Sequence, residues 1–144
     1  MKALIAASLI CAAGVTNAFA DDAGQRLSAL MKVSPDKEFV MIKVPTASSF
    51  IANKLALAAL KSGTDSAPAL NIATMLQRPA PANLAVTSDN DSIGAATLER
   101  AFDSLKGKTV TPQEVAYIGK KESGEALAAK AEAIGVTLLV VPFE

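Results

Sequence analysis

The feature that most narrows the possible folds is an alternation of two hydrophobic periods. Short β-branched and apolar runs at residues 37–45, 84–87, 114–118 and 136–141 are each followed or preceded by stretches in which apolar residues recur at helical spacing. A chain that alternates in this way builds a parallel sheet with helices packed on its faces, because parallel neighbours need a crossover long enough to hold a helix. The order read from the sequence is α-β-α-β-α-β-α-β.

The first helix is expected over 21–33, with Leu27, Leu30 and Met31 on its apolar face and Ser34-Pro35 as its stop. Residues 37–45 read as a largely buried strand closed by Pro45. From Thr46 the period changes to helical. Phe50, Ile51, Leu55, Ala58 and Leu60 describe a broad apolar face, Ser48 or Ser49 is a candidate N-cap, and Gly63 is the stop. Residues 63–83 form an irregular segment with Pro68, Pro79 and Pro81, in which 69–77 could hold a short helix.

The second strand covers 84–87, and Asp91 or Ser92 is expected to cap the helix that ends at Gly107. Thr111-Pro112-Gln113-Glu114 matches a capping box. Gly119 nevertheless follows too soon for a helix of ordinary length, so 114–118 is read as a strand. Residues 125–134 read as an Ala-rich helix. The unbroken apolar run 136–141 is of the kind found in a central or well-covered parallel strand.

The fold class expected is therefore α/β: a small three-layer, doubly wound unit with a four-stranded, mainly parallel sheet in the order 2-1-3-4 and an extra N-terminal helix. At the level of fold alone this resembles small flavodoxin-like or Rossmann-like units. In such sheets ligands bind beyond the carboxyl ends of the strands, where the strand order reverses. The 2-1-3-4 order places that crevice between residues 46–49 and 120–123 and leaves 88–91 on its flank.

The chain opens Met1-Lys2, runs through an apolar stretch over 3–15 and reaches Ala18-Phe19-Ala20 before Asp21. This is the pattern of a secretory signal peptide cleaved after Ala20, too short in its apolar part to span a bilayer, for which about 20 residues are needed. The expected organisation is a leader at 1–20 and one α/β domain at 21–144, exported to the periplasm or beyond, with no transmembrane segment after cleavage. The full chain has 14 basic and 14 acidic residues. The leader removes only Lys2, so 13 basic residues remain against 14 acidic. That balance gives no footprint for nucleic acid.

Missing residue types exclude more. The chain has no His and no Trp, and its one Cys, Cys11, lies in the leader. Disulfides, thiol chemistry, the usual zinc sites and Ser-His-Asp arrangements are thereby removed. The aromatics Phe39, Phe50, Phe102, Tyr117 and Phe143 are scattered and read as core rather than as a stacking platform.

Several polar groups remain as candidates. Asp89 and Asp91, with Asn90 and Ser88 beside them, could hold a hard cation in a metal-assisted hydrolase. Asp, Asn and Ser at such a place more commonly cap a helix and complement its dipole. The run 119–124 resembles half a phosphate loop, but Glu125 and Ala126 stand where the pattern demands Lys and then Ser or Thr. Lys120, Lys121 and Ser123 could still form a weaker anion site at the helix start. Thr46, Ser48 and Ser49 line the expected crevice, without the Gly-x-Ser-x-Gly elbow of a serine nucleophile.

Within 63–83, Leu70, Met75 and Leu76 could present an apolar contact to a partner. No cofactor is implied. The expected function is a non-catalytic α/β domain that binds a protein partner or a small ligand, as an accessory component of an envelope assembly.

Overall fold

The computed structural model describes residues 17–79 and 82–143. The expected leader lies outside these residues except for 17–20, which open the first helix. The elements are α1 (Asn17–Val33), β1 (Val40–Val44), α2 (Phe50–Lys61), α3 (Ala67–Leu76), β2 (Leu84–Ser88), α4 (Asp91–Ser104), β3 (Glu114–Gly119), α5 (Lys121–Ala133) and β4 (Thr137–Pro142). The four strands form one all-parallel sheet, and the chain is a small α/β unit as its periodicity implies.

The strand order is β1-β2-β3-β4, not 2-1-3-4. The reason lies in side-chain burial on the two faces of each strand. All five residues of β2, Leu-Ala-Val-Thr-Ser, are buried. A strand with no charge and no exposed position suits the interior of a sheet covered on both faces. β1 carries Lys43 and is buried only at Val44, so it sits at an edge where a charge is tolerated. It is not the largely buried strand its composition suggests. β4 forms the other edge and is half-exposed along much of its length despite its apolar run.

A 1-2-3-4 order also changes the winding. Right-handed crossovers that always step the same way place every connecting helix on one face. Accordingly, Leu60 of α2, Ile72 and Leu76 of α3, Phe102 of α4 and Leu127 of α5 share one core with Val86 and Tyr117 of the sheet. A smaller core on the opposite face joins Leu30 of α1 to Phe39, Ala85, Ala116, Ile118 and Val141. The unit has three layers, but its second face is covered by α1 rather than by a reversed crossover, and there is no topological switch point.

The helix starts follow side-chain chemistry. Ser49 accepts the Ala52 N–H at 3.1 Å and Ser66 the Ala69 N–H at 3.2 Å, each satisfying a first-turn donor. α3 lies within the irregular segment, where a short helix at 69–77 is expected, and starts two residues earlier. α4 is capped by Asn90, whose Oδ1 accepts the Ile93 N–H at 3.2 Å, and not by Asp91 or Ser92. α5 starts at Lys121, a full turn earlier than expected, so 120–123 is a helix start rather than a free loop.

Residues 114–118 are a strand, extended to Gly119. The capping-box match upstream is not used as one. Instead Thr111 Oγ1 donates to the Arg78 carbonyl at 2.5 Å and Gln113 Nε2 to the Leu76 carbonyl at 3.0 Å, tying down the end of α3.

Phe39, Phe102 and Tyr117 are buried as expected, but Phe50 is 72 % exposed. The apolar face of α2 points largely outward. Only Leu60 of that helix is buried, with Leu57 packed beside it. Among the described residues no helix is long and apolar enough to cross a membrane.

Candidate functional site

The carboxyl ends of β2 and β3 are the middle of this sheet, and the amino ends of α4 and α5 lie directly above them. A cavity of about 410 Å³ opens there, lined by Arg26, Asp89, Asn90, Asp91, Lys120 and Phe143 with neighbouring small residues. Four elements contribute to it: α1 through Arg26, the β2–α4 turn, the β3–α5 junction and the residue after β4.

Arg26 is the group least expected from composition. It is only 8 % exposed, yet it is charged. A buried guanidinium persists only when its charge and its donors are met. Its Nε donates to Asp22 Oδ2 at 2.8 Å, and its Nη1 donates to Thr87 Oγ1 and to the Ser88 carbonyl at 3.1 Å. Thr87 passes the interaction on by donating to the Ile118 carbonyl at 2.8 Å. The Phe143 ring stacks on the guanidinium at 4.6 Å. Lys43 Nζ lies 3.4 Å from Asp22 and 3.0 Å from Asp89 Oδ1, which itself stands 3.6 Å from Arg26 Nη2. Burial opposes ionisation of Asp22, but Arg26 and Lys43 outweigh it and hold the carboxyl below its ordinary range.

No motif marks Arg26. The one sign in the sequence is its register. Ala23, Leu27 and Leu30, at spacings of three and four, are the buried face of α1, and Arg26 falls on that same face with Asp22 one turn before it.

Asp91 is the first residue of α4, but its side chain serves the neighbouring helix. Oδ1 accepts the Lys120 backbone N–H at 2.8 Å and the Tyr117 hydroxyl at 2.6 Å, and Oδ2 accepts the Ser123 hydroxyl at 2.5 Å. α5 has no cap from its own side chains, so Asp91 supplies one from across the sheet. Burial pushes this carboxyl up, and the hydrogen bonds from Ser123, Tyr117 and Lys120 more than reverse it, leaving it lowered. The close fit requires Gly119. A Cβ there would run into Asp91 Oδ1 and come within 2.8 Å of Tyr117 Cε2.

The residues singled out from sequence are thus distributed unevenly. Asp89, Asp91 and Lys120 line one cavity, and Ser123 joins it through Asp91. Asp91 offers its oxygens to three donors and Asp89 offers Oδ1 to two cations, so a metal would have to compete with all five. Among the described residues no group of three His, Cys, Asp or Glu side chains converges to hold an ion.

Lys121 turns to Glu125 at 3.8 Å. Thr46, Ser48 and Ser49 do not line the cavity, because β2 lies between β1 and β3 and the expected crevice between the two loops does not form. Their loop is closed locally by Asn53, which exchanges hydrogen bonds with the Ala47 backbone at 2.8 and 3.0 Å. Of Leu70, Met75 and Leu76, Leu76 is fully buried, Met75 packs against the core and Leu70 is exposed.

A second feature lies away from the cavity. On α2, Ile51 is 70 % and Leu55 68 % exposed beside Phe50. Ile51, Leu55 and Ala58 follow a spacing of four and three, a continuous apolar stripe directed to solvent. Lys54 and Lys61 border it, the Lys54 ammonium resting over the Phe50 ring at 4.7 Å, and the helix carries no acidic residue.

No protein-family model, curated protein or solved structure matches this chain.

Proposed function

We propose that this is an exported, non-catalytic α/β binding domain of the cell envelope, an accessory component that engages a partner protein through the outward face of α2. The observation that carries this reading is the exposure of Phe50, Ile51 and Leu55 together. Three large apolar side chains on one helix cost solvation free energy in isolation, and clusters of this kind mark contact surfaces. With Lys54 and Lys61 at its border and no acid on the helix, the face is complementary to an apolar patch rimmed by carboxylates.

The polar groups at the strand ends support the non-catalytic part. Asp22, Asp91, Tyr117, Ser123 and Thr87 are engaged with one another or with backbone, in the manner of a structural network rather than of a poised acid and base.

The test is a photo-crosslinking residue placed at Leu55 in the full chain, with Lys32 on α1 as the control position. A discrete protein adduct from position 55, absent at 32 and lost when Ile51→Lys is added, is the expected result. An unmodified monomer, or the same adducts from both positions, would overturn the reading. Amino-terminal sequencing of the extracted protein tests export, with Asp21 expected as its first residue.

A further inference from the structure

We propose that the cavity over β2 and β3 binds a small oxyanion, a carboxylate or phosphate group, and that Asp89 is a tethered competitor which the anion displaces. This inference is independent of the α2 surface.

The three donor positions of Arg26 are used unequally. Nε and Nη1 are committed to Asp22, Thr87 and the Ser88 carbonyl. Nη2 makes no hydrogen bond among the described residues. It forms an ion pair with Asp89 Oδ1 at 3.6 Å, beyond hydrogen-bond range. A guanidinium whose side chain is nine-tenths buried thus pairs its remaining nitrogen with Asp89, and both residues line the cavity. Arginine is suited to this role because it stays charged when buried and is weakly hydrated.

Asp89 is placed as a substitute for a ligand. Its side chain is more than half exposed, it follows the last residue of β2, and among the described residues it forms ion pairs with Arg26 and Lys43. Asp91, by contrast, is held by three hydrogen bonds and cannot leave without uncapping α5.

The charge balance gives the same answer. Among the described residues that line the cavity, Arg26 and Lys120 face Asp89 and Asp91, two against two. Rotation of Asp89 into solvent removes one of the two carboxylates from the lining and leaves Arg26 Nη2 without its ion pair. Phe143 over the guanidinium keeps water from one side of it, which strengthens any ion pair formed there. A volume of about 410 Å³ accepts a metabolite-sized anion rather than a polymer.

The test titrates the full mature protein at low ionic strength, separately with inorganic phosphate and with acetate, following backbone amide shifts and heat. Saturable shifts centred on Gly119 and Lys120 are expected with at least one of the two. The anion that binds more tightly identifies the ligand's charged group.

Asp89→Asn is expected to tighten binding about tenfold by removing the competitor, and Lys120→Gln to weaken it by a similar factor. Asp65→Asn, which makes the same change in net charge at the exposed Arg100 pair, is expected to leave affinity within about twofold, since exposed charges beyond about 10 Å are screened. Three outcomes would overturn the proposal: no saturable binding in either the parent or Asp89→Asn, equal tightening by Asp65→Asn, or shifts centred away from the cavity.

Discussion

The carboxylate of Asp91 accepts the backbone N–H of Lys120 at 2.8 Å, so the first residue of one helix caps the start of the next. The same carboxylate takes two hydroxyl donors, Tyr117 and Ser123. Its removal leaves the Lys120 N–H and the Ser123 hydroxyl to find other partners and leaves the Tyr117 hydroxyl only its longer bond to the Asp91 carbonyl, 3.0 Å. Asp91→Ala is expected to destabilise the fold by about 3 kcal/mol, given that hydrogen bonds to charged groups contribute roughly 1.5–3 kcal/mol each and exposed donors recover water. Asp91→Asn, which keeps one acceptor, should fall between that variant and the parent. Urea midpoints of the three proteins check the order.

Acid should weaken the protein through the same group and its counterparts. Asp22, Asp91 and Asp103 all have lowered pKa values, despite burial that opposes it, because of Arg26 and Lys43, of Ser123, Tyr117 and Lys120, and of Lys130 and Lys106 respectively. A depressed carboxyl adds stability that is complete above its unfolded value, about 3.9, and that disappears as pH falls through the folded one. The urea midpoint is therefore expected to be level from pH 7 to about 5 and to drop below about 4. The drop should be shallower in Asp103→Asn, whose partner Lys130 at 2.8 Å then loses its strongest contact at every pH.

Gly119→Ala is expected to be costly for a residue that gains one methyl. The added carbon enters the space held by the Asp91 carboxylate and the Tyr117 ring. Forced displacement in a close-packed interior costs typically 1–3 kcal/mol, and here it also breaks the Asp91 cap. A loss of about 3 kcal/mol follows, whereas alanine at Gly24, inside α1 with nothing within 4 Å of the new atom, is expected to gain up to about 1 kcal/mol. Thermal midpoints of the two variants give the comparison.

The α/β class and the four strands were legible because periodicity is a property of single segments. Strand order is not, since it depends on which strand tolerates an exposed edge. The information was present in part: Lys43 marks β1 as an edge, and the uncharged Leu-Ala-Val-Thr-Ser of β2 marks it as interior. A reading guided by doubly wound sheets gave the opposite placement. Strand order also decides the site, because the 2-1-3-4 order implies a switch-point crevice that the fold lacks and sets Asp89 and Asp91 on its flank, whereas the 1-2-3-4 order puts them in the central cavity.

Arg26 was hidden for a different reason. An arginine on the apolar face of an amphipathic helix has no distinct pattern until Thr87, Ser88 and Phe143 are brought to it from distant parts of the chain. The apolar residues of α2 are legible from their spacing, but periodicity says that a face exists and not which way it points.

Hydrogen exchange distinguishes the two strand orders without a structure. In the β1-β2-β3-β4 sheet, β2 is paired on both sides and buried throughout, so its amides open only in near-global unfolding. Those of β1 that point away from β2 should exchange faster, by local fraying of an edge. A 2-1-3-4 sheet would reverse the ranking. The expected result is slowest exchange at Ala85, Val86 and Tyr117.

Tyr117 gives the alkaline counterpart to the acid limb, with a clean optical signal. It is the only tyrosine in a chain without tryptophan. Burial and then the adjacent Asp91 carboxylate push its phenol well above the ordinary value of 10.0. The folded state thus keeps a proton that the unfolded state releases. Where the native form binds more protons, stability falls as pH rises. The contribution of this group is intact below about pH 10 and declines above it. Tyrosinate absorbance should therefore not appear along a simple titration curve centred near pH 10. It should appear together with the loss of far-ultraviolet helical signal, in one transition, because the phenol ionises when the fold opens. In Asp91→Asn the neighbouring charge is absent, and the absorbance change should move to lower pH. Ionisation near pH 10 with the helical signal unchanged would mean that the Tyr117 hydroxyl is open to water and that its bond to Asp91 does not hold the two strand-end turns together.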